Sequence, residues 1–226
     1  MSAGARPASP PRAGKAYYPV FLDVEGRPCA VVGGGRVGTE KARKLIEHGA
    51  VLRLVAPEIT EELRALVDSG SVAEYRRRPY RRGDLAGCFL AIAATDDEDV
   101  NRAVWRDAEE RGLLCNVATG PPYGNFIVPG VVRRGQLAIA VSTGGASPAV
   151  ARRIRRELQE RYGPEWEALL GLLSDLRDDL KARYPDAERR RDAVERLMRT
   201  DVVERLAEND GEGVRALVRE TLLSGR

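Results

Sequence analysis

The sequence of 226 residues is poor in histidine, cysteine and aromatic residues, and each shortage excludes a class of function. It contains one histidine and three cysteines, and no two cysteines form a C-x-x-C pair. A zinc cage of clustered cysteines and histidines is therefore not expected, and no metal ligands are predicted. Aromatic residues make up 5% of the chain, too few for a platform on which nucleic-acid bases would stack.

Long apolar runs and a strong net charge are also missing. No apolar stretch approaches the roughly 20 residues that a membrane helix requires, and the amino terminus lacks the apolar centre of a signal peptide. The formal net charge is +3, too small to indicate nucleic acid as a partner. We expect a globular, cytoplasmic protein with reduced, buried cysteines and no membrane or nucleic-acid partner.

A glycine cluster in residues 29–38 (CAVVGGGRVG) separates an apolar run from a segment with helical periodicity. Gly33, Gly35 and Gly38 fit the pattern G-x-G-x-x-G. In that pattern the first glycine permits a tight turn, the second lets a pyrophosphate approach the backbone, and the third lets the helix pack against the strand. The amino terminus of the helix would attract the phosphates. This context favours a dinucleotide site over a plain structural turn, with predicted contacts from Gly33, Gly35, Arg36, Val37 and Gly38.

The next apolar run, residues 51–55, predicts a second strand. In a nucleotide-binding βαβ unit, an acidic residue near the end of this strand binds the ribose. Pro57 and Glu58 occupy that region, although Glu58 lies slightly late for the role. NAD is therefore the expected cofactor, and Arg53 leaves NADP open as the alternative.

A nearly all-apolar run at residues 88–94 predicts a strand buried on both faces, as in a parallel sheet. Ligands of doubly wound folds lie beyond the carboxyl ends of such strands, so Thr95 is expected to contact the cofactor. Asp96 and Asp97 are expected to cap the helix that follows at residues 100–111.

Strands and helices alternate from residue 18 to residue 117, which predicts a Rossmann-type α/β fold. Its further strands are expected at residues 18–22, 71–75 and 113–117. A small β region with a hairpin turn at residues 133–135 follows, and it is too short to bury itself without a sheet from a second copy of the chain. The remaining chain, from Pro164 onward, has the apolar spacing of packed helices.

A loop rich in glycine and hydroxyl groups, residues 142–147, precedes another predicted helix. Ser147 would cap this helix and Pro148 would begin it. The loop could accept an anion, although a capped helix alone explains Ser147 equally well. Two basic clusters, residues 76–82 and 152–156, are more typical of solvated faces but would also suit a polyanionic small molecule.

Five stretches of this sequence resemble the precorrin-2 dehydrogenase/sirohydrochlorin ferrochelatase family, the dehydrogenase–chelatase module of siroheme synthase. They are residues 31–42 (VVGGGRVGTEKA), 90–97 (LAIAATDD), 115–117 (CNV), 125–129 (NFIVP) and 138–151 (AIAVSTGGASPAVA). The resemblance implies an NAD-binding Rossmann domain, a β dimerisation region and a C-terminal helical domain in a homodimer. It implies NAD-dependent oxidation of precorrin-2 to sirohydrochlorin. Many members also insert Fe²⁺, a lyase reaction, to make siroheme.

The implied substrate is a tetrapyrrole fringed with carboxylates, which suits the loop at residues 142–147 and the arginines near it. The substrate-binding residues implied by the resemblance are Asn116, Ser142, Thr143, Gly144, Gly145 and Ser147. The expected domains are a disordered tail (1–15), the NAD-binding domain (16–127), the dimerisation region with the tetrapyrrole loop (128–162) and the helical domain (163–226).

One position departs from the family pattern. Where the family has Asn-Val-x-Asp, this chain has Asn116-Val117-Ala118-Thr119. The family aspartate is the favoured general base and chelatase residue, and a threonine hydroxyl is not an acid–base group near neutral pH. Thr119 is thus the candidate catalytic position, and ferrochelatase activity is expected to be weak or absent. The alternatives are a catalytically silent protein that binds NAD and a tetrapyrrole, and a generic NAD-sensing domain.

Overall fold

The computed structural model describes residues 17–118 and 123–223, and the chain divides into two compact units, Met1–Val128 and Pro129–Arg226. The predicted tail at residues 1–15 lies outside the described residues, as does Thr119. Within the described ranges, no helix is long and apolar enough to cross a membrane.

The first unit is built on a five-stranded parallel sheet with the strand order β3-β2-β1-β4-β5. The strands are β1 (Pro28–Val32), β2 (Val51–Val55), β3 (Glu74–Arg76), β4 (Leu90–Ala93) and β5 (Leu114–Val117), and the helices between them are α1 (Arg36–Glu47), α2 (Glu61–Asp68) and α3 (Glu98–Glu110). The predicted Rossmann-type fold is therefore confirmed. The chain order of the strands reverses between β1 and β4, the point at which such sheets open a crevice for ligands.

The central strands are apolar because both faces of the sheet are covered. All four residues of β4 are buried, and so are the last four of β1. Two apolar clusters enclose the sheet, one containing Val31, Leu52 and Leu54 and the other Val32 and Val104. This burial holds the carboxyl ends of β1 and β4 rigidly side by side, where the glycine turn begins.

Two strands predicted in the first unit need correction. Residues 18–22 form no regular element, and the side chains of Tyr18 and Phe21 are 86% and 72% exposed. Their β propensity has no effect because a strand also requires a neighbour with which to pair. The third strand is Glu74–Arg76 rather than residues 71–75, since its register is set by pairing with β2, where Arg53 lies opposite Glu74.

The second unit begins with an antiparallel hairpin of β6 (Gly130–Arg134) and β7 (Leu137–Val141). The predicted hairpin is confirmed, with its turn one residue later than expected, because Gly135 takes the left-handed conformation (φ +53°). Residues 125–129, one of the stretches that resemble the family, form no strand. The helices are α4 (Pro148–Arg161), α5 (Glu165–Asp175), α6 (Arg177–Arg183), α7 (Ala187–Met198), α8 (Val202–Ala207) and α9 (Gly211–Val218), followed by a π-helical turn, Arg219–Leu223.

The helices after α4 pack around a third apolar cluster, which contains Leu169, Leu197, Val202 and Leu222. The three- and four-residue spacing of leucine and valine places these side chains on one face of each helix. The predicted helical region is thereby confirmed. In contrast, α4 has no fully buried residue, and Val150 and Ile154 on its apolar side are 49% and 39% exposed.

Candidate functional site

Two glycines of the turn after β1 are required by the fold itself. Gly33 has φ +119°, and a Cβ there would lie 2.2 Å from the carbonyl oxygen of Ala94. A Cβ on Gly38 would lie 2.2 Å from the carbonyl oxygen of Gly33, because the first turn of α1 packs directly on the strand end. The tight turn and the close helix–strand contact that the motif predicts are both present.

Gly35 differs from its neighbours because the fold does not require a glycine there. Its backbone is extended, and a Cβ would meet no described atom within 4 Å. The open space at Gly35 lies directly in front of α1, which begins at Arg36. Among the described residues, no side chain caps this helix and its first turn has no acidic residue. Unpaired N–H groups at such a helix start form an anion site.

The other helices around the sheet begin differently. Thr60 caps α2 by accepting from the Leu63 N–H, and Asp97 caps α3 by accepting from the N–H groups of Asp99 and Val100. The expectation that Asp97 is a cap is confirmed. The uncapped start of α1 is therefore a specific property of the glycine turn, and it leaves donors free for a phosphate.

Gly34, which the G-x-G-x-x-G pattern leaves unexplained, brings the loop after β2 to the turn. A Cβ on Gly34 would lie 2.0 Å from the carbonyl oxygen of Glu58, and the Thr60 N–H donates to the Gly34 carbonyl at 3.0 Å. Glu58 is exposed and its backbone touches the turn, although it follows β2 by three residues. The middle glycine of the run Gly33-Gly34-Gly35 is the signal in the sequence for this contact.

Arg53, the residue that left NADP open, is held within the sheet edge. Its Nε donates to Glu74 Oε2 at 2.6 Å, and its Nη1 donates to the carbonyl oxygens of Asp84 and Ala86. The guanidinium is thus used for internal bonds and is not offered to a 2′-phosphate. This removes the one feature of the sequence that favoured NADP.

Thr95 stands at the carboxyl end of β4, beside the glycine turn. A Cβ on Gly33 would lie 3.1 Å from the Thr95 N. The Thr95 hydroxyl lies 2.9 Å from both Asn101 Oδ1 and the Asp97 carbonyl oxygen, and Asn101 Nδ2 donates to the Thr95 carbonyl. Asn101 is 1% exposed and was missed by sequence reasoning. Its role is to fix the strand end that faces the turn.

The cofactor residues predicted from the sequence therefore converge at one edge of the sheet. Arg36 and Val37 form the exposed start of α1 and line a shallow pocket of about 290 Å³ beside that helix. Pro57 and Glu58 follow β2, and Thr95 follows β4. Their assignment as cofactor-binding residues stays a prediction, and the backbones of Glu58 and Thr95 lie beside Gly34 and Gly33 of the turn.

The segment that follows β5 is anchored by two asparagines. Asn116 is buried and donates from Nδ2 to the Phe126 carbonyl at 3.1 Å. Asn125 accepts from the Cys115 N–H and donates to the Leu113 carbonyl, both at 2.8 Å, so that its side chain pairs with β5 as a strand would. The assignment of Asn116 to substrate binding stays a prediction, since its described contact is with the chain itself.

The loop at residues 142–147 belongs to the second unit and is closed by its own hydroxyl groups. The Ser142 hydroxyl accepts from the Gly144 N–H at 3.0 Å, and the Thr143 hydroxyl accepts from the Ser147 N–H and donates to the Ser147 carbonyl. Gly144 and Gly145 have φ of +62° and +91°. Ser147 caps α4 by accepting from the Val150 N–H, as predicted. The result is a compact glycine bend at a helix start.

The two basic clusters have different environments. In the first, Arg78 forms a bidentate pair with Asp84 at 2.7 and 2.8 Å, and Arg76 bonds both Asp84 and Glu74. The second cluster lies on α4, where Arg152 and Arg156 are exposed and Arg153 pairs with Glu157. The first cluster is therefore mainly a structural ion-pair network around a buried aspartate, and the second offers exposed charge close in sequence to the glycine loop.

Asp84→Asn is expected to lower the free energy of unfolding at neutral pH by about 2–3 kcal/mol. The Asp84 side chain is 4% exposed. Its pKa is held well below the ordinary value, chiefly by the hydrogen bond from Arg78. A lowered folded-state pKa gives stability that is complete above the unfolded pKa of about 3.9 and is lost as the pH falls through the folded-state pKa.

Urea unfolding of both proteins between pH 7 and about pH 2 tests this expectation. The difference in free energy of unfolding between wild type and Asp84→Asn should be constant near neutral pH and should decrease below about pH 4. Asp68→Asn, at an exposed position on α2, is the matched control and should change little. If this difference in free energy of unfolding did not depend on pH, the charge of Asp84 would not be the source of its stabilising effect.

The three cysteines are free and buried, as expected. Burial raises the pKa of the Cys29 thiol to about 11 and that of Cys115 to about 12. Thiols of this kind are protonated at neutral pH and are poor nucleophiles. In residues 17–118 and 123–223, no group of three or more histidine, cysteine, aspartate or glutamate residues is arranged to hold a metal ion.

Comparison with known proteins covers most of the chain. The family models for putative NAD(P)-binding proteins, the sirohaem biosynthesis protein central region and the sirohaem synthase dimerisation region match residues 20–130, 134–161 and 165–222. The siroheme synthases of Pseudomonas paraeruginosa and Chromobacterium violaceum are 41% and 37% identical over 209 residues, 92% of this chain but 45% and 44% of theirs. The chain thus spans less than half the length of these relatives.

Among solved structures, SirC, a precorrin-2 dehydrogenase, matches with a TM-score of 0.77 and 26% identity. The match covers 91% of this chain and 98% of that one. The likeness therefore extends over both compact units of the chain and over nearly the whole of the solved protein.

Proposed function

This chain belongs to the family of the siroheme synthase dehydrogenase–chelatase module, and from that premise we propose that it oxidises precorrin-2 to sirohydrochlorin with NAD⁺. In the balanced reaction, precorrin-2 and NAD⁺ give sirohydrochlorin, NADH and a proton. NAD⁺ supplies the acceptor for the hydride when it is bound. The residues of the chain bind the dinucleotide, orient the macrocycle and hold or release the proton.

The observation that carries the cofactor assignment is the open position at Gly35 in front of an uncapped helix. A side chain there would occupy space that no described atom fills, although the fold tolerates one. A pyrophosphate that approaches the backbone at Gly35 would accept hydrogen bonds from the first turn of α1. The site thus fits the phosphates of a dinucleotide on its own geometry.

NAD rather than NADP is favoured by two further features. Glu58 is the acid near the end of β2, and its backbone lies against Gly34 of the turn. A carboxylate in this position accepts hydrogen bonds from a ribose and repels a 2′-phosphate. Arg53, the residue that left NADP open in the sequence, is held by Glu74 and backbone carbonyls.

The carboxylate-rich substrate would bind at the loop of residues 142–147. The loop would offer the backbone N–H of the exposed, left-handed Gly145, and Arg152 and Arg156 on α4 carry exposed charge. Charge-assisted hydrogen bonds from these groups suit a macrocycle with carboxylate side chains. We assign Ser142, Thr143, Gly144, Gly145 and Ser147 to this role, together with Asn116.

A homodimer is the inferred state of assembly. Residues 165–222 match the sirohaem synthase dimerisation region. The hairpin of β6 and β7 has two strands only, and Val131 on it is 39% exposed. Such a hairpin gains a partner surface from a second copy of the chain.

Purified protein incubated with precorrin-2 and NAD⁺ tests the proposed reaction. We expect NADH, followed by its absorbance, to form in equal amount to sirohydrochlorin. A rate no greater than that of the enzyme-free mixture would refute the dehydrogenase assignment.

The second candidate is a catalytically silent protein that binds NAD and a tetrapyrrole for delivery or regulation. Thr119 favours it, because it replaces the family's general base. Tight binding of sirohydrochlorin without turnover of precorrin-2 would select this candidate. Absence of tetrapyrrole binding would instead indicate a generic NAD-sensing domain.

A further inference from the structure

Two threonine hydroxyls form a chain of hydrogen bonds from the start of α2 to the glycine turn. Thr39 Oγ1 donates to the Gly35 carbonyl at 3.0 Å and lies 2.8 Å from Thr60 Oγ1. The Leu63 N–H donates to Thr60 Oγ1 at 3.2 Å. A hydroxyl has a single proton, and only one arrangement gives both protons an acceptor within the chain: Thr39 donates to Gly35, and Thr60 donates to Thr39. All bonds of the chain therefore point toward the Gly35 carbonyl.

The Gly35 carbonyl determines the direction of the Arg36 N–H, a donor at the start of α1. It also accepts the Thr39 N–H at 2.9 Å, so two bonds hold it along the axis of α1. In a planar trans peptide the carbonyl of one residue and the N–H of the next point in opposite directions. The Arg36 N–H is thereby directed out of the helix, toward the open position at Gly35.

The same pair of residues holds the loop that contains Glu58. The Thr60 N–H donates to the Gly34 carbonyl, and the Glu58 carbonyl lies against Gly34. The hydroxyl bond between Thr60 and Thr39 adds a second link between this loop and α1. Thr39 itself is 4% exposed, so it acts through Gly35 and Thr60 and not by contact with a ligand.

We propose that Thr39 and Thr60 are positioning residues for the dinucleotide. Their hydroxyls hold the first N–H of α1 toward the pyrophosphate and keep the Glu58 loop against the turn. Bonds that share a chain strengthen one another, and loss of the Thr39 hydroxyl removes both its bond to Gly35 and its link to Thr60. The inference rests on the NAD-binding part of the proposed function and does not depend on the oxidation of precorrin-2.

Titration of the full chain with NAD⁺ by calorimetry tests the hydroxyl chain. Thr39→Val keeps the shape of the side chain and removes both bonds, and we expect the dissociation constant to rise about five- to tenfold. Thr39→Ser restores the hydroxyl and should bind within about twofold of wild type. The double variant Thr39→Val/Thr60→Val should resemble Thr39→Val, because the two residues act as one unit.

Thr200→Val is the matched control. The Thr200 hydroxyl donates to the Leu197 carbonyl at 2.6 Å in the second unit, so its loss removes a similar bond far along the chain. We expect its dissociation constant to equal that of wild type. If Thr39 had a purely structural role, Thr39→Val would unfold at a lower midpoint but would bind NAD⁺ with unchanged affinity under conditions where it is folded. This result would overturn the inference.

The outcomes separate the two proposals. If the wild-type chain binds NAD⁺ and Thr39→Val binds it with the same dissociation constant, the positioning role of the two threonines is wrong. The proposed reaction is unaffected by that result. Failure to oxidise precorrin-2 overturns the proposed reaction while the titration still decides the role of the threonines. Absence of any NAD⁺ binding by the wild-type chain overturns both.

Discussion

Gly35→Ala is expected to weaken NAD⁺ binding about a hundredfold and to leave the fold intact. The added methyl group would meet no atom of the described residues within 4 Å, but it would occupy the space into which the pyrophosphate must come. Overpacking of a close contact costs about 1–3 kcal/mol, and about 2.7 kcal/mol corresponds to a hundredfold in affinity. Stability should stay within about 1 kcal/mol of wild type, since a less favourable helix cap is offset by a stiffer unfolded chain.

Gly38→Ala is the matched control, with the opposite expectation for stability. Its Cβ would lie 2.2 Å from the Gly33 carbonyl oxygen, so the backbone itself must move. We expect a loss of about 1–3 kcal/mol in the free energy of unfolding. Urea unfolding and NAD⁺ titration of both variants give the comparison. If Gly35→Ala bound NAD⁺ as wild type does, the phosphates would not lie at Gly35, and the dinucleotide assignment would be wrong.

Thr119→Asp is expected to raise the rate of Fe²⁺ insertion into sirohydrochlorin by about 10²–10⁴-fold. Metal insertion requires a group that accepts protons from the pyrrole nitrogens, and a positioned proton acceptor typically contributes this factor. The substitution recreates the Asn-Val-x-Asp pattern of the family at Asn116-Val117-Ala118-Thr119. The rate is followed as the change in absorbance when sirohydrochlorin becomes siroheme.

Thr119→Asn provides the control for shape and polarity, because an amide cannot accept a proton near neutral pH. Its rate of metal insertion should equal that of wild type. If Thr119→Asp also left the rate unchanged, the missing carboxylate would not limit metal insertion by this chain. Asp96, at the carboxyl end of β4, would then be the next carboxylate to test by Asp96→Asn, since Asp97 already caps α3.

The parts of the fold that were predicted correctly depend on patterns of short period. Apolar runs such as residues 51–55, followed by helical spacing, indicated the alternating strands and helices, because buried strands must be apolar on both faces. The errors occurred where the neighbours of a segment decide its conformation. Residues 18–22 have strand-forming side chains but no pairing strand, and the bounds of β3 follow from its register with β2.

The same distinction between local patterns and tertiary neighbours applies to the candidate site. The sequence by itself determined the glycine turn, the cap at Asp97 and the family, since these depend on residue types at fixed short spacings. Only the tertiary structure decided that Glu58 touches Gly34, that Arg53 is held by Glu74, and that Arg76 and Arg78 surround Asp84. Each of these contacts joins residues from different turns or strands. The parallel sheet brings such residues together at one edge, and no local pattern records which of them will meet.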